Sequence, residues 1–200
     1  MTPIQEIEND LDWREGELAV LRILLSDRSL PKREKTVLLR SAWALLYAHY
    51  EGFCKFALAV FYDAVRKSGV NCRSLPFNTQ CFALSGPVKR LRNLPTADFI
   101  TALAAFEVNH LDKSPRFPDI ETNSNLYSST LAELLKDADI VLPSLNLHNK
   151  KLDTLVRRRN NIAHGEKDII ADVDYYLQYE DAFKTVAYEL ALAIDQKING

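Results

Sequence analysis

Apolar residues recur along this chain with the period of a helix, and nowhere do they alternate with a period of two over the length of a strand. From Glu34 to Lys67 the pattern runs without a proline. Val37, Leu38, Ala42, Leu45, Leu46, His49, Phe53, Phe56, Ala57, Val60, Phe61 and Ala64 cover much of its circumference, which predicts a central, buried helix. At 1.5 Å per residue it would be about 50 Å long. Gly52 marks either a bend or a close approach of another helix. Leu18, Leu21, Leu24 and Leu25 place an earlier helix over Glu17 to Ser26, starting near Asp12. Tyr179, Phe183, Val186, Ala187, Leu190, Ala191 and Ile194 share one face of a final helix, Val173 to Lys197.

The middle is less regular. Gly69 to Pro95 carries Pro76, Gly86 and Pro87, and reads as the least ordered stretch. A short helix follows from Thr96 to about Asn109, then a loop from Asp112 to Asn125 with Pro115 and Pro118. Thr130 and Glu133 have the spacing of a capping box opening a helix to about Ala138. Pro143 precedes a helix from about Asn149 to His164. The expectation is an all-α protein of one domain, 1–200. Its core is an antiparallel four-helix bundle, with a long, partly helical insertion (about 69–143) between the second and third core helices.

Composition narrows the function. Apolar residues make up 47% and charged residues 26%, the values of an ordinary globular chain. The longest apolar run, Ala57 to Tyr62, is far short of the roughly 20 residues a bilayer needs, and the acidic start is no secretory signal. Three cysteines without CxxC spacing fit a reduced, cytoplasmic compartment. The four histidines lack metal-ligand spacing and the six glycines form no phosphate-cradling loop, so neither metal nor cofactor is expected. A net charge of −2 argues against sequence-blind binding of nucleic acid, yet Lys150, Lys151, Arg157, Arg158 and Arg159 form one local basic cluster. Lys89, Arg90 and Arg92 form another, which reads as a solvated helix face.

Within the first cluster, Leu152, Leu155, Val156, Arg159 and Ala163 share a helical face, so Arg159 continues a core-facing stripe. A guanidinium there needs a partner or a cleft. His164 follows five positions later, just before Gly165, a residue suited to ending a helix. A permanent cation beside a group that titrates near neutrality suits chemistry on a phosphodiester. Five positions are about 500° of rotation, so the two side chains diverge on an ideal helix. Taken alone, His164 reads as a helix-terminal histidine facing the last carbonyls. Arg157 and Arg158 read as more solvent-facing. On the central helix Tyr47, Glu51 and Lys55 make one stripe, where Glu51 and Lys55 have the spacing of an i, i+4 ion pair worth about 0.2–0.5 kcal/mol. Tyr175, Tyr176 and Tyr179 read as core, and Cys54 as a plain buried thiol.

Arg159-Asn160-Asn161-Ile162-Ala163-His164 resembles the Arg-Asn-x-x-x-His signature of the HEPN superfamily. Tyr47-Ala48-His49-Tyr50-Glu51-Gly52-Phe53-Cys54-Lys55 resembles the Tyr-Ala-x-x-Glu-Gly-x-x-Lys helix of its MAE-type and RiboL-PSP-type branch. Thr122-Asn123-Ser124-Asn125-Leu126 is similar to the Thr-x-Ser-Asn-Leu segment of the MAE-type proteins. The resemblance implies a four-helix core and a metal-independent endoribonuclease acting as a toxin or antiviral effector. It also implies a homodimer whose paired motifs face one cleft, with an antitoxin or companion protein. Arg159 and His164 would carry the chemistry, assisted by Asn160 and Glu51. Arg158, Arg157, Lys151, Lys55 and Tyr47 would contact RNA. The alternative is a non-catalytic HEPN module that binds RNA, a nucleotide or a partner protein.

Overall fold

A computed structural model describes residues 1–200, and all of its regular structure is helical. Helix α1 spans Pro3–Ser26, α2 Lys32–Lys67, α3 Phe77–Arg92, α4 Thr96–Ala104, α5 Ser128–Asp137, α6 Pro143–Ala163 and α7 Val173–Asn199. A 3₁₀ turn at Cys72–Ser74 and a π-helical turn at Glu107–Leu111 complete the list. Helices α1, α2, α6 and α7 form the bundle: α2 packs on the other three, and α7 also packs on α1 and α6. The segment between α2 and α6 adds α3 against α5 and α5 against α6.

The unbroken apolar pattern produces the unbroken α2, whose Trp43, Tyr50 and Phe53 are wholly buried. Tyr50 and Phe53 both meet Phe183 of α7 edge-on, at centroid separations of 6.4 Å. Each large apolar side chain buried this way contributes about 1.5–3 kcal/mol. Trp43 satisfies its one polar atom by donating Nε1–H to Leu155 O of α6 at 3.1 Å. Gly52 admits the guanidinium of Arg14 from α1: a Cβ there would lie 2.9 Å from Arg14 Nη1.

Several boundaries differ from the sequence expectation, some through local capping and some through partners far along the chain. Helix α1 begins at Pro3, nine residues before Asp12, because Thr2 and Gln5 form a reciprocal capping box and Ile7 and Leu11 bury. The stretch expected to be irregular contains α3, Pro87 included. Its start is held from sixty residues away, where Asp139 accepts from Asn78 Nδ2, Thr79 N and Thr79 Oγ1. The short fourth helix stops at Ala104 and passes into the π turn. Helix α5 opens at Ser128, not at Thr130, because Asp153 of α6 caps the Ser128 N–H at 2.8 Å. Pro143 starts α6 instead of preceding it: proline fits the first helical position, where no N–H is needed. Ser144 N–H then finds Glu189 Oε2 of α7 at 2.9 Å.

Candidate functional site

Three stretches of chain, from α2, α6 and the loop before α5, meet at Arg159. Its Nη2 donates to Ser124 O at 2.6 Å, and its guanidinium carbon lies 3.8 Å from the centroid of the Tyr47 ring. Nε is buried without a hydrogen-bond partner, while Nη1 is neither enclosed nor bonded within the protein. Arg159 is therefore half-buried, anchored along one edge and open along another. Its neighbour Asn160 donates Nδ2–H to Asn125 Oδ1 at 2.6 Å.

The turn that receives both side chains is itself clamped from below. Tyr47 Oη donates to Ser124 O at 3.2 Å and accepts the Leu126 N–H at 3.0 Å. One helical turn further along α2, Glu51 accepts from Thr122 Oγ1. Asn125 N closes the turn onto Thr122 O at 2.9 Å, and Leu126 is wholly buried. Asn123 and Ser124 adopt φ of 50° and 56°, the left-handed region. Such residues cost about 1–3 kcal/mol each and persist only where the surroundings over-determine them. Burial pushes the Tyr47 phenol above its ordinary range; nearby Glu51 adds to this, and the Leu126 N–H and Arg159 partly offset it. The hydroxyl thus keeps its proton and remains a donor to Ser124.

His164 lies just past the last turn of α6, with φ −83° and ψ 8°, and its N–H caps Asn160 O at 2.9 Å. Gly165 follows at φ 80°. The imidazole is exposed and makes no hydrogen bond within the chain, to Arg159 or to any other residue. The helix therefore presents Arg159 to the Ser124 turn and His164 to solvent at its end.

The other candidate residues separate into distinct environments. Glu51 and Lys55 form no ion pair: Glu51 turns to Thr122, while Lys55 is exposed. Lys55 lines a groove of about 1220 Å³ between α2 and residues 114–121, beyond Glu51 from the motif. Tyr47 is 3% exposed and carries Arg159 on its ring, which leaves no free face for a base. Arg157 is exposed and Lys151 half-buried. Arg158 turns inward, contrary to the expectation. Its guanidinium carbon lies 5.6 Å from the Trp43 ring and 5.1 Å from that of Tyr175, and Nη1 donates to Ile169 O at 3.1 Å. Asp168 faces it at 3.6 Å and also accepts from Asn161 Nδ2 at 3.0 Å, so these side chains hold the loop after His164. Thr122, Ser124 and Asn125 belong to the site although the sequence assigned them no role. Their segment is marked in the sequence by its Thr-x-Ser-Asn-Leu resemblance and by a run of short polar residues that tolerate left-handed backbone.

No helix is long and apolar enough to cross a membrane. No curated protein and no solved structure matches the chain. A family model described as HEPN_MAE_28990-like HEPN matches residues 3–200, all but the first two positions. The match spans the whole all-α bundle that brings the three segments together at Arg159, and the chain belongs to the MAE-type HEPN family.

Proposed function

We propose that this HEPN domain is a metal-independent endoribonuclease. The observation that carries the reading is Arg159: a guanidinium fixed at Ser124 and Tyr47, with Nη1 left open, on the helix whose end exposes His164. RNA supplies its own nucleophile. The 2′-oxygen attacks phosphorus, a base takes the 2′-hydroxyl proton, the P–O5′ bond breaks, and an acid protonates the departing 5′-oxygen. The products are a 2′,3′-cyclic phosphate and a 5′-hydroxyl. Imidazole serves as base and acid near neutrality, and a guanidinium stabilises the charge that builds on the non-bridging oxygens.

One α6 turns Arg159 and His164 apart, so a second copy is the way to surround a phosphate. In a homodimer with the two α6 ends facing one cleft, two His164 side chains supply base and acid. Arg157, exposed beside the motif, and Lys151 meet the flanking phosphates. Asn160 is pinned by Asn125, and Glu51 acts through Thr122 on the turn; both support the site from behind Arg159. A toxin or antiviral effector in the cytoplasm, restrained by an antitoxin or companion protein, is the role that fits such an activity.

The test incubates purified protein with structured and unstructured RNAs in EDTA, beside His164→Ala and Arg159→Ala. Cleavage by the wild type alone, leaving 2′,3′-cyclic phosphate ends, is the expected result. Equal cleavage by all three forms overturns the assignment. RNA binding without cleavage by any of them favours the non-catalytic module.

A further inference from the structure

An orphaned buried donor and two left-handed non-glycine residues are each uncommon, and here they lie on either side of one hydrogen bond, Arg159 Nη2 to Ser124 O. Leaving a buried N–H unpaired and bending the backbone at Asn123 and Ser124 both oppose folding. Glu51 and Asn160 each add one bond to the turn, but three of the interactions that outweigh these costs come from a single side chain. Tyr47 supplies the ring under the guanidinium, a proton to Ser124 O, and an acceptor for Leu126 N–H. Ser124 O thus receives Tyr47 Oη from below and Arg159 Nη2 from the side.

We infer that Tyr47 is a positioning residue for Arg159: its ring and hydroxyl, acting directly and through the Ser124 carbonyl, hold the guanidinium with its Nη1 edge toward the substrate phosphate. The inference rests on the ribonuclease reading for what the arginine does, but not for how it is held. Stacking fixes the plane of the guanidinium, and the carbonyl fixes its rotation within that plane. An arginine on a free side chain would have to surrender this rotational freedom each time phosphate bound. One already held there stabilises developing charge without reorganisation. Tyr47 contributes no face to RNA, since Arg159 covers it and the side chain is 3% exposed. A buried tyrosine hydroxyl takes whatever acceptor lies in reach, and here that acceptor is the main-chain oxygen that Arg159 also uses.

Two measurements decide this. The first needs no change at Tyr47: the ¹⁵N relaxation of arginine Nε–H groups in the wild-type protein, assigned with Arg159→Lys and Arg157→Lys. Arg159 Nε–H should be as rigid as the backbone, and the exposed Arg157 mobile. Equal mobility of the two overturns the inference, whether or not the protein cleaves RNA. The second compares Tyr47→Phe, which keeps the ring and loses the hydroxyl, with Tyr47→Leu, each shown folded by circular dichroism. Tyr47→Phe should loosen Arg159 Nε–H and lower kcat about 10- to 100-fold, the scale of a small misplacement at a reacting centre. KM should stay within about twofold, and Tyr47→Leu should lose more. A Tyr47→Phe protein with unchanged kcat and a still rigid Arg159 rejects the role of the hydroxyl. A wild type that never cleaves RNA removes the nuclease reading alone, because the relaxation data still report whether Tyr47 holds Arg159.

Discussion

Asn160 Nδ2 lies 2.6 Å from Asn125 Oδ1, so the motif helix donates and the turn accepts. The direction of that bond predicts unlike effects from like substitutions. Asn125→Asp keeps an oxygen at the accepting position and loses only the exposed 3.2 Å bond from Asn125 Nδ2 to Asn123 O, so it should cost no more than about 1 kcal/mol. Asn160→Asp sets oxygen against oxygen and should cost about 1–3 kcal/mol, the usual penalty for a lost partner in a partly buried pair. Urea melts of the two variants, side by side, check this. The reverse order would mean that the amides point the other way.

Arg157 and Arg158 are neighbours in sequence with opposite surroundings. Arg157 is exposed, while Arg158 lies over Trp43 and Tyr175 and bonds Ile169 O. Arg158→Ala removes a stacked cation and an anchor of the loop after His164, and should destabilise by about 1–3 kcal/mol. Arg157→Ala should stay within about 0.5 kcal/mol of wild type. If Arg157 meets RNA, its alanine variant should instead weaken RNA binding and flatten the salt dependence. Chemical denaturation and binding titrations over a range of salt separate the two roles.

This pair also shows where sequence reading stops. The stripe Leu152, Leu155, Val156, Arg159 identifies the core-facing side of α6, because burial there follows helical period alone. It says nothing of Arg158, whose direction is set by aromatic rings on α2 and α7. Helix α2 is legible because no proline or local competitor interrupts its pattern. Helix α3 is hidden by Pro76, Gly86 and Pro87, and the cap that stabilises it, Asp139, is remote. The start of α6 is misread because one proline both blocks a helix from continuing and suits its first position. At the site, the residue types that bear charge stand out, but their partners do not. Arg159 bonds a main-chain carbonyl, which every residue carries, and Glu51 prefers Thr122 to the lysine one turn away.

Gly52 and Arg14 make a separable pair. Alanine in a helix interior is favoured over glycine by about 0.5–1 kcal/mol, yet a Cβ at position 52 would stand 2.9 Å from Arg14 Nη1. Arg14 cannot swing clear cheaply: Nε and Nη2 bond Asp10 at 2.7 and 3.1 Å, and the guanidinium sits 4.6 Å over Trp13. Gly52→Ala should therefore destabilise the wild type but stabilise an Arg14→Ala background. Thermal melts of the four proteins in this double-mutant cycle give the coupling directly. A substitution that raises the melting temperature in both backgrounds would show that Arg14 yields freely.

His49 is 2% exposed beneath the same cluster, with Nδ1 3.4 Å from Arg14 Nη1 and Nε2 3.2 Å from Glu17 Oε2. Its edge meets Trp13 at a centroid distance of 5.3 Å. Burial lowers its pKa below the ordinary histidine value, and the Arg14 cation lowers it further. Glu17 and Asp10 pull the other way without reversing the shift. The sign for stability follows from proton counting. Above the unfolded-state pKa of about 6.5, both states hold a neutral imidazole and pH does nothing through this group. Below it the unfolded chain takes a proton that the folded chain resists, so stability falls as pH drops toward the lowered folded value. His49→Gln removes the titration while keeping a polar side chain of similar reach. The melting temperature of wild type minus that of His49→Gln should be flat from pH 8 to about 6.5 and decline from there toward pH 5. A difference that grows on acidification would mean that Glu17 and Asp10 outweigh burial, and that His49 is held charged in the folded protein.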